Sequence, residues 1–176
     1  MAVQRLSRTL GVLMLAALVS GCAADPSVEP TPTPTFANED EAFAAAEATY
    51  RAYVDALNQV DLADPATFEE VYAWTTGEAN ASAREYLSQL HSEEVKLLGS
   101  SRVARIWSEL GDQPTIVSVC LDVSEVELLD VNGRSIVDAN RPNEQSFKVK
   151  LQSSRYAAHG LLISEFEGGD ESLCAQ

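Results

Sequence analysis

The stretch TIVSVCLDVS, Thr115 to Ser124, alternates Val117, Val119, Leu121 and Val123 against Ile116, Ser118, Cys120 and Asp122. Successive side chains of a strand point to opposite faces, so a period of two predicts a β-strand with one continuous apolar face. Upstream of Gly99 the period is different. Asn38-Glu39-Asp40-Glu41 reads as a capping box, with Asn38 as N-cap and Glu41 three residues on. Behind it Phe43, Ala46, Tyr50, Tyr53, Val54 and Leu57 recur at three- and four-residue steps, one face of a helix running to about Val60. Asp64-Pro65 places an N-cap before a proline at the first helical position and predicts a short helix carrying Phe68, Val71 and Tyr72. Thr76 opens a third helical stretch, with Ala79, Ala83, Tyr86, Leu87 and Leu90 on its apolar side.

Downstream of the opening stretch the period of two persists. Asn132-Gly133 is a favoured two-residue hairpin turn, predicted between strands over Val126–Val131 and Arg134–Val137. Ser146 to Gln152 alternates Phe147, Val149 and Leu151 inward against Ser146, Lys148, Lys150 and Gln152 outward. Leu161 to Phe166 supplies a last strand and Arg102 to Leu110 a first. Helices followed by antiparallel strands predict an α+β fold, with N-terminal helices packed on one face of a curved antiparallel sheet. No internal repeat is present.

The N-terminus carries a different signal. Arg5 and Arg8 precede the apolar run Leu10 to Val19, which is too short for the roughly 20 residues of a membrane span but suits the apolar segment of a secretory signal. The run ends in Val19-Ser20-Gly21-Cys22, which resembles the lipobox of bacterial lipoproteins. That resemblance implies a diacylglyceryl group on the Cys22 thiol and cleavage before it. The competing reading is an ordinary secretory signal cut near Cys22-Ala23-Ala24, which would discard the cysteine. Two acyl chains anchor stably where one binds marginally. Four of the seven prolines, Pro26, Pro30, Pro32 and Pro34, fall within Ala23 to Thr35, where alternating Thr-Pro favours polyproline II and the segment would reach roughly 40 Å at full extension. The expected organisation is a lipoprotein signal peptide over residues 1–21, the lipidated Cys22 and its tether over 22–37, and one domain over 38–176. The expected location is the extracytoplasmic face of a cell membrane.

Charge narrows the partners. The chain has 12 Lys+Arg against 27 Asp+Glu, a net charge of −15, and loss of Arg5 and Arg8 with the signal would make it −17. Such a surface repels phosphate backbones, so nucleic acid is not an expected partner, and it disfavours docking on anionic headgroups. Membrane association would run through Cys22.

Cys120 and Cys174 remain as an even pair in an oxidising exterior. Free thiols or half a metal site are the alternatives. The two histidines, His91 and His159, do not sit at ligand spacing from either cysteine, which favours a disulfide worth roughly 4 kcal/mol on loop-entropy grounds.

Taken together, YRAYVDALNQ on the long helix, TTGEANASAREYLSQL on the third, the strand pieces VCLDVS and DVNGRSI, and a terminal cysteine resemble secreted actinobacterial lipoproteins. These belong to the nuclear transport factor 2-like, or cone-shaped α+β, superfamily. The resemblance spans about Asn38 to Cys174 and also implies the Cys120–Cys174 pairing. It departs at Leu161, which follows His159-Gly160 where many relatives carry a tryptophan.

Superfamily relatives include isomerases, dehydratases and hydrolases working in a cavity between helices and sheet. Tyr50, Tyr53 and Asp122 are the candidate pocket residues here, with His159 and Glu165 near the last strand. If the Cys120 face of its strand turned inward, Asp122 would bring a carboxylate into the cavity. The alternative is that the tyrosines are core aromatics and Asp122 a solvated or capping residue. His91 reads as solvated. Asp130-Val131-Asn132-Gly133 starts like a calcium loop but lacks the later ligands. Glu39-Asp40-Glu41 suits a helix dipole rather than a cation site. No metal site, cofactor motif or nucleophile elbow is read from the chain. Three functions are therefore weighed: a non-catalytic module binding an envelope protein or small ligand, a cone-fold enzyme acting on a small apolar substrate, and an envelope spacer.

Overall fold

The computed structural model describes residues 35–108 and 115–174. Cys22, the signal segment and most of the tether lie outside the described residues, as does the end of the expected first strand. Helix α1 (Glu39–Leu57) starts where the capping box puts it. The Asn38 side chain accepts from the Glu41 amide at 2.8 Å, and the Glu41 carboxylate accepts from the amide of Ala37, at 2.7 Å. Ala42, Ala46, Thr49, Tyr50, Val54 and Ala56 are its buried face. The helix stops at Leu57, short of the expected Val60; beyond it the Gln59 and Val60 amides close tighter three-residue bonds to the Ala56 and Leu57 carbonyls, and the Asn58 side chain reaches Ser101.

Asp64 caps a single 3-10 turn, Pro65–Thr67, by accepting from the Ala66 amide at 3.0 Å, and α2 (Phe68–Tyr72) follows with Phe68, Val71 and Tyr72 buried. Thr76 precedes α3 (Gly77–Ser92) without a side-chain cap; its amide instead donates to the Ile163 carbonyl at 2.8 Å, tying the helix start to the sheet. Ala79, Leu87 and Leu90 are buried on α3, whereas Tyr86, expected on the apolar side, is half exposed.

Six strands follow: β1 (Lys96–Leu98), β2 (Arg102–Ser108), β3 (Ile116–Asp122), β4 (Glu127–Leu129), β5 (Glu144–Ser153) and β6 (Leu161–Gly168). The main sheet runs β2-β3-β5-β6, antiparallel throughout, with irregularities at Val103/Arg105 and Lys150/Leu151 that bend it. The expected α+β arrangement, helices on one face of a curved antiparallel sheet, is the one the chain adopts. Val117, Val119 and Leu121 of β3, with Val123 just past its end, join Val149, Leu151, Leu161 and Ile163 beneath Ala46, Tyr50 and Val54 of α1.

Three expectations need correction. β1 was not expected, being only three residues long, and it pairs with β4 in a separate two-stranded sheet. The hairpin arm expected over Arg134–Val137 is reduced to one bridge, Leu129 with Ser135. The turn itself forms, with Gly133 at φ 75° and its amide on the Asp130 carbonyl, but residues 131–136 lie exposed with no core to hold a second arm. Ser146, expected outward, is buried, because the chain leaving β6 crosses β5 there and Gly169 donates to the Ser146 carbonyl at 2.9 Å.

That crossing also explains why β3 is buried on both faces. Beyond Gly169 the C-terminal turn Glu171–Leu173 brings Cys174 to Cys120, and the two form a disulfide with Cα atoms 5.6 Å apart. A second apolar cluster gathers Ala56, Val60, Leu62, Phe68, Val71, Leu87, Leu90 and Val95 among the helices, away from the sheet centre. Among the described residues no helix is long and apolar enough to cross a membrane.

Candidate functional site

The two apolar clusters do not close completely on each other. Between them a cleft of about 250 Å³ opens, walled by Tyr53 and Leu57 of α1, Leu87 and Leu90 of α3, and Leu97 and Leu128 of the small sheet. Leu121 and Val123, at the end of β3, form part of its lining. The sequence places them there by period: at and just past the end of β3, they continue the helix-facing side of Val117 and Val119.

Polar groups sit at the edges. Asn58 and Ser101 meet at one margin through Asn58 Nδ2 donating to the Ser101 carbonyl and the Ser101 amide donating to Asn58 Oδ1, both at 2.8 Å. Gly99, in the turn between β1 and β2, has φ 76° and lies so close to the Glu125 backbone that a Cβ would collide with it. That approach sets the β1–β2 turn against the end of β3. Arg141 stands at the rim, its Nη2 donating to the carbonyls of Val123 and Val126, each at 2.8 Å.

The structure separates the three expected pocket residues. Tyr50 is buried in the main core, its ring 6.1 Å from that of Tyr53, and it does not line the cleft. Tyr53 does line it, and packs its other side on Phe166 at 5.4 Å. Burial pushes the Tyr53 hydroxyl up to about 12 and raises that of Tyr50 further, with Tyr53 adding to the effect. Asp122 lies on the opposite face of β3. Its Oδ1 accepts from the Ser124 hydroxyl at 2.7 Å and the Ser124 amide at 3.0 Å, while Oδ2 pairs with Arg102. Those donors, the Ser124 hydroxyl foremost, hold its carboxyl at about 2 instead of 3.8. It is a capping residue of the β3 end.

The remaining candidates are also accounted for by local partners. Glu165 shares Lys150 with Glu167, at 3.0 and 2.5 Å. His159 stacks on Trp74, ring centroids 5.6 Å apart and 16° from parallel. His91, expected to be solvated, instead donates through Nδ1 to the Leu62 carbonyl at 2.6 Å and meets the Phe68 ring edge-on. The Asp130 carboxylate is filled by its own loop, accepting from the amides of Asn132 and Arg134 and from the Arg134 guanidinium, which holds it near 2. Cys120, Glu144 and Cys174 converge, but both sulfurs are consumed in the disulfide, leaving a single ligating group there.

Sequence reasoning missed the cleft and Arg141. No local motif announces either. The apolar residues of the wall read individually as core positions, and only their failure to meet makes a cavity.

No protein-family model matches the chain, and no characterised protein matches it in sequence. Among solved structures it is similar to the VirB8 protein of Agrobacterium tumefaciens, at 12% identity over 77% of this chain and 95% of that one, with a TM-score of 0.46. It is also similar to a periplasmic fragment of TraM, at 14% identity over 74% of this chain and 96% of that one, TM-score 0.37. A de novo designed β-sheet protein aligns at 16% identity over 74% of this chain and 89% of that one, TM-score 0.25.

Proposed function

We propose that the protein is a lipid-anchored extracytoplasmic binding module of the nuclear transport factor 2-like kind, whose apolar cleft receives a ligand without transforming it. The observation that carries this reading is the separation of Asp122 from the tyrosines. Acid–base chemistry needs groups of matched pKa within hydrogen-bond reach of one substrate. Here Asp122 is on the far side of β3, Glu165 is paired with Lys150 and does not line the cleft, and Tyr53 in the cleft wall holds its proton up to about 12. What the cleft offers is apolar surface with polar groups at the margin, the usual make-up of a small-ligand site.

The anchor belongs to the same proposal. Cleavage before Cys22, acylation of its thiol and a proline-rich tether would hold the domain outside the membrane with the cleft free to face solutes or neighbouring envelope proteins. Two measurements test the reading. Titration with the neutral fluorophore N-phenylnaphthylamine should show saturable binding that Ala83→Trp, which fills the cleft from α3, abolishes; binding unaffected by that substitution counts against the cleft. Cys22→Ala should release the protein from the membrane fraction or leave the precursor uncut. Unchanged membrane partition and mature mass would remove the anchor.

A further inference from the structure

We infer that the cleft selects a single-chain amphiphile with a carboxylate head, the chain lying along the apolar wall and the head meeting Arg141. This deepens the binding reading above and rests on it. In a protein with 27 acidic and 12 basic side chains, the cleft lining contains no carboxylate, and its one charged group is a cation. Within the cleft, a ligand therefore meets a full charge only at this rim, and that charge is positive.

Arg141 is also held in place. Nη2 spends its hydrogens on the Val123 and Val126 carbonyls, which belong to the cleft lining itself. Among the described residues Nε and Nη1 take no carbonyl, and no carboxylate pairs with the guanidinium. Two fixed backbone acceptors thus pre-orient a guanidinium whose other donors remain open, so little side-chain entropy is lost when an anion binds. The positive charge acts on Tyr86 too, opposing the rise that burial imposes on its hydroxyl. Tyr86 lines the cleft and is half exposed, which puts a neutral donor beside the cation. A volume of about 250 Å³, below the usual range for drug-sized ligands, suits one chain rather than a fused-ring system or a two-chain lipid.

The test compares decanoate with decan-1-ol on the whole, unacylated chain made by cell-free translation, by calorimetric titration at low salt. Ala83→Trp identifies which heat belongs to the cleft. The expected result is decanoate binding about tenfold or more tighter than the alcohol, the size of a charge-assisted hydrogen bond. Arg141→Gln should erase that preference and Arg141→Lys should keep most of it. Because Arg141 also ties two carbonyls, Arg141→Gln could fail to fold. The unsubstituted protein then decides, since decanoate affinity should fall with added salt while that of the alcohol does not. Equal affinities that both vanish in Ala83→Trp would overturn the carboxylate preference and leave the cleft as a neutral apolar site. No cleft binding of either ligand would overturn the binding reading and this inference with it.

Discussion

Asn58 and Ser101, far apart in sequence, exchange two hydrogen bonds of 2.8 Å between the Asn58 amide and the Ser101 backbone. A side chain here imitates one step of a strand ladder. It fastens the end of α1 to the approach to β2 at the margin of the cleft. The Ser101 hydroxyl adds a third bond to the same Oδ1 at 3.1 Å.

Asn58→Ala should therefore lower stability by about 1 kcal/mol, since the site is exposed and water can replace part of what is lost. Chemical denaturation would read the loss. Hydrogen exchange should rise at the Ser101 amide before it rises in β3. Protection at Ser101 equal to that in the unsubstituted protein would contradict the fastening role.

Ser146 presents the opposite situation. Its hydroxyl is buried with no hydrogen-bond partner among the described residues, under the Gly169 crossing. An unsatisfied buried hydroxyl costs roughly 1–3 kcal/mol, so Ser146→Ala should leave stability unchanged or raise it. Gly169→Ala should destabilise by about 1–3 kcal/mol, because a Cβ there presses on the Ser146 backbone as well as its side chain. A tolerated alanine at position 169 would mean that the crossing can lift away from β5.

The disulfide pins the same crossing. Replacing Cys120 and Cys174 together with alanine opens a loop of sequence separation 54 and should cost about 4 kcal/mol or less on chain-entropy grounds. Non-reducing peptide mapping should recover the Cys120–Cys174 pair. Two free thiols in the purified protein would refute it.

Asp122 makes a prediction about acid. Its carboxyl is lowered from 3.8 to about 2, first by the Ser124 hydroxyl and amide and then by Arg102. A group depressed in the folded state contributes stability above its unfolded value and loses it as pH falls through the folded one. The contribution is complete above about pH 4 and fades towards pH 2. Asp122→Asn should flatten the acid limb of stability in that window, read by denaturation at stepped pH, and leave ligand binding in the cleft unchanged. A loss of ligand binding would return Asp122 to the site.

Much of the fold was legible in the chain because the signals are local. A capping box at Asn38, the Asp64-Pro65 start and the switch to alternation at Thr115 each act within a few residues, where backbone sterics and hydrogen bonding decide conformation. The same locality makes the two-sided burial of β3 invisible, since what covers Cys120 arrives from the other end of the chain. Ser146 faces away from the helices as its alternation predicts, and it is buried only because the same crossing covers that face. The arm after Asn132-Gly133 keeps only one bridge because turn chemistry specifies a reversal and not a full partner; β4 makes its ladder with β1.

By itself, then, the amino-acid order determined the helices, the longer strands, the class and the alternation within each strand, but neither β1 nor the fate of the second hairpin arm. Which of two faces of β3 looks at the helices, where Asp122 ends up and whether a space remains between Leu57 and Leu128 were decided only by tertiary packing. The physical reason is that hydrophobicity is non-directional. It says that a side chain leaves water, and the fit of whole elements says against what, and with how much room to spare.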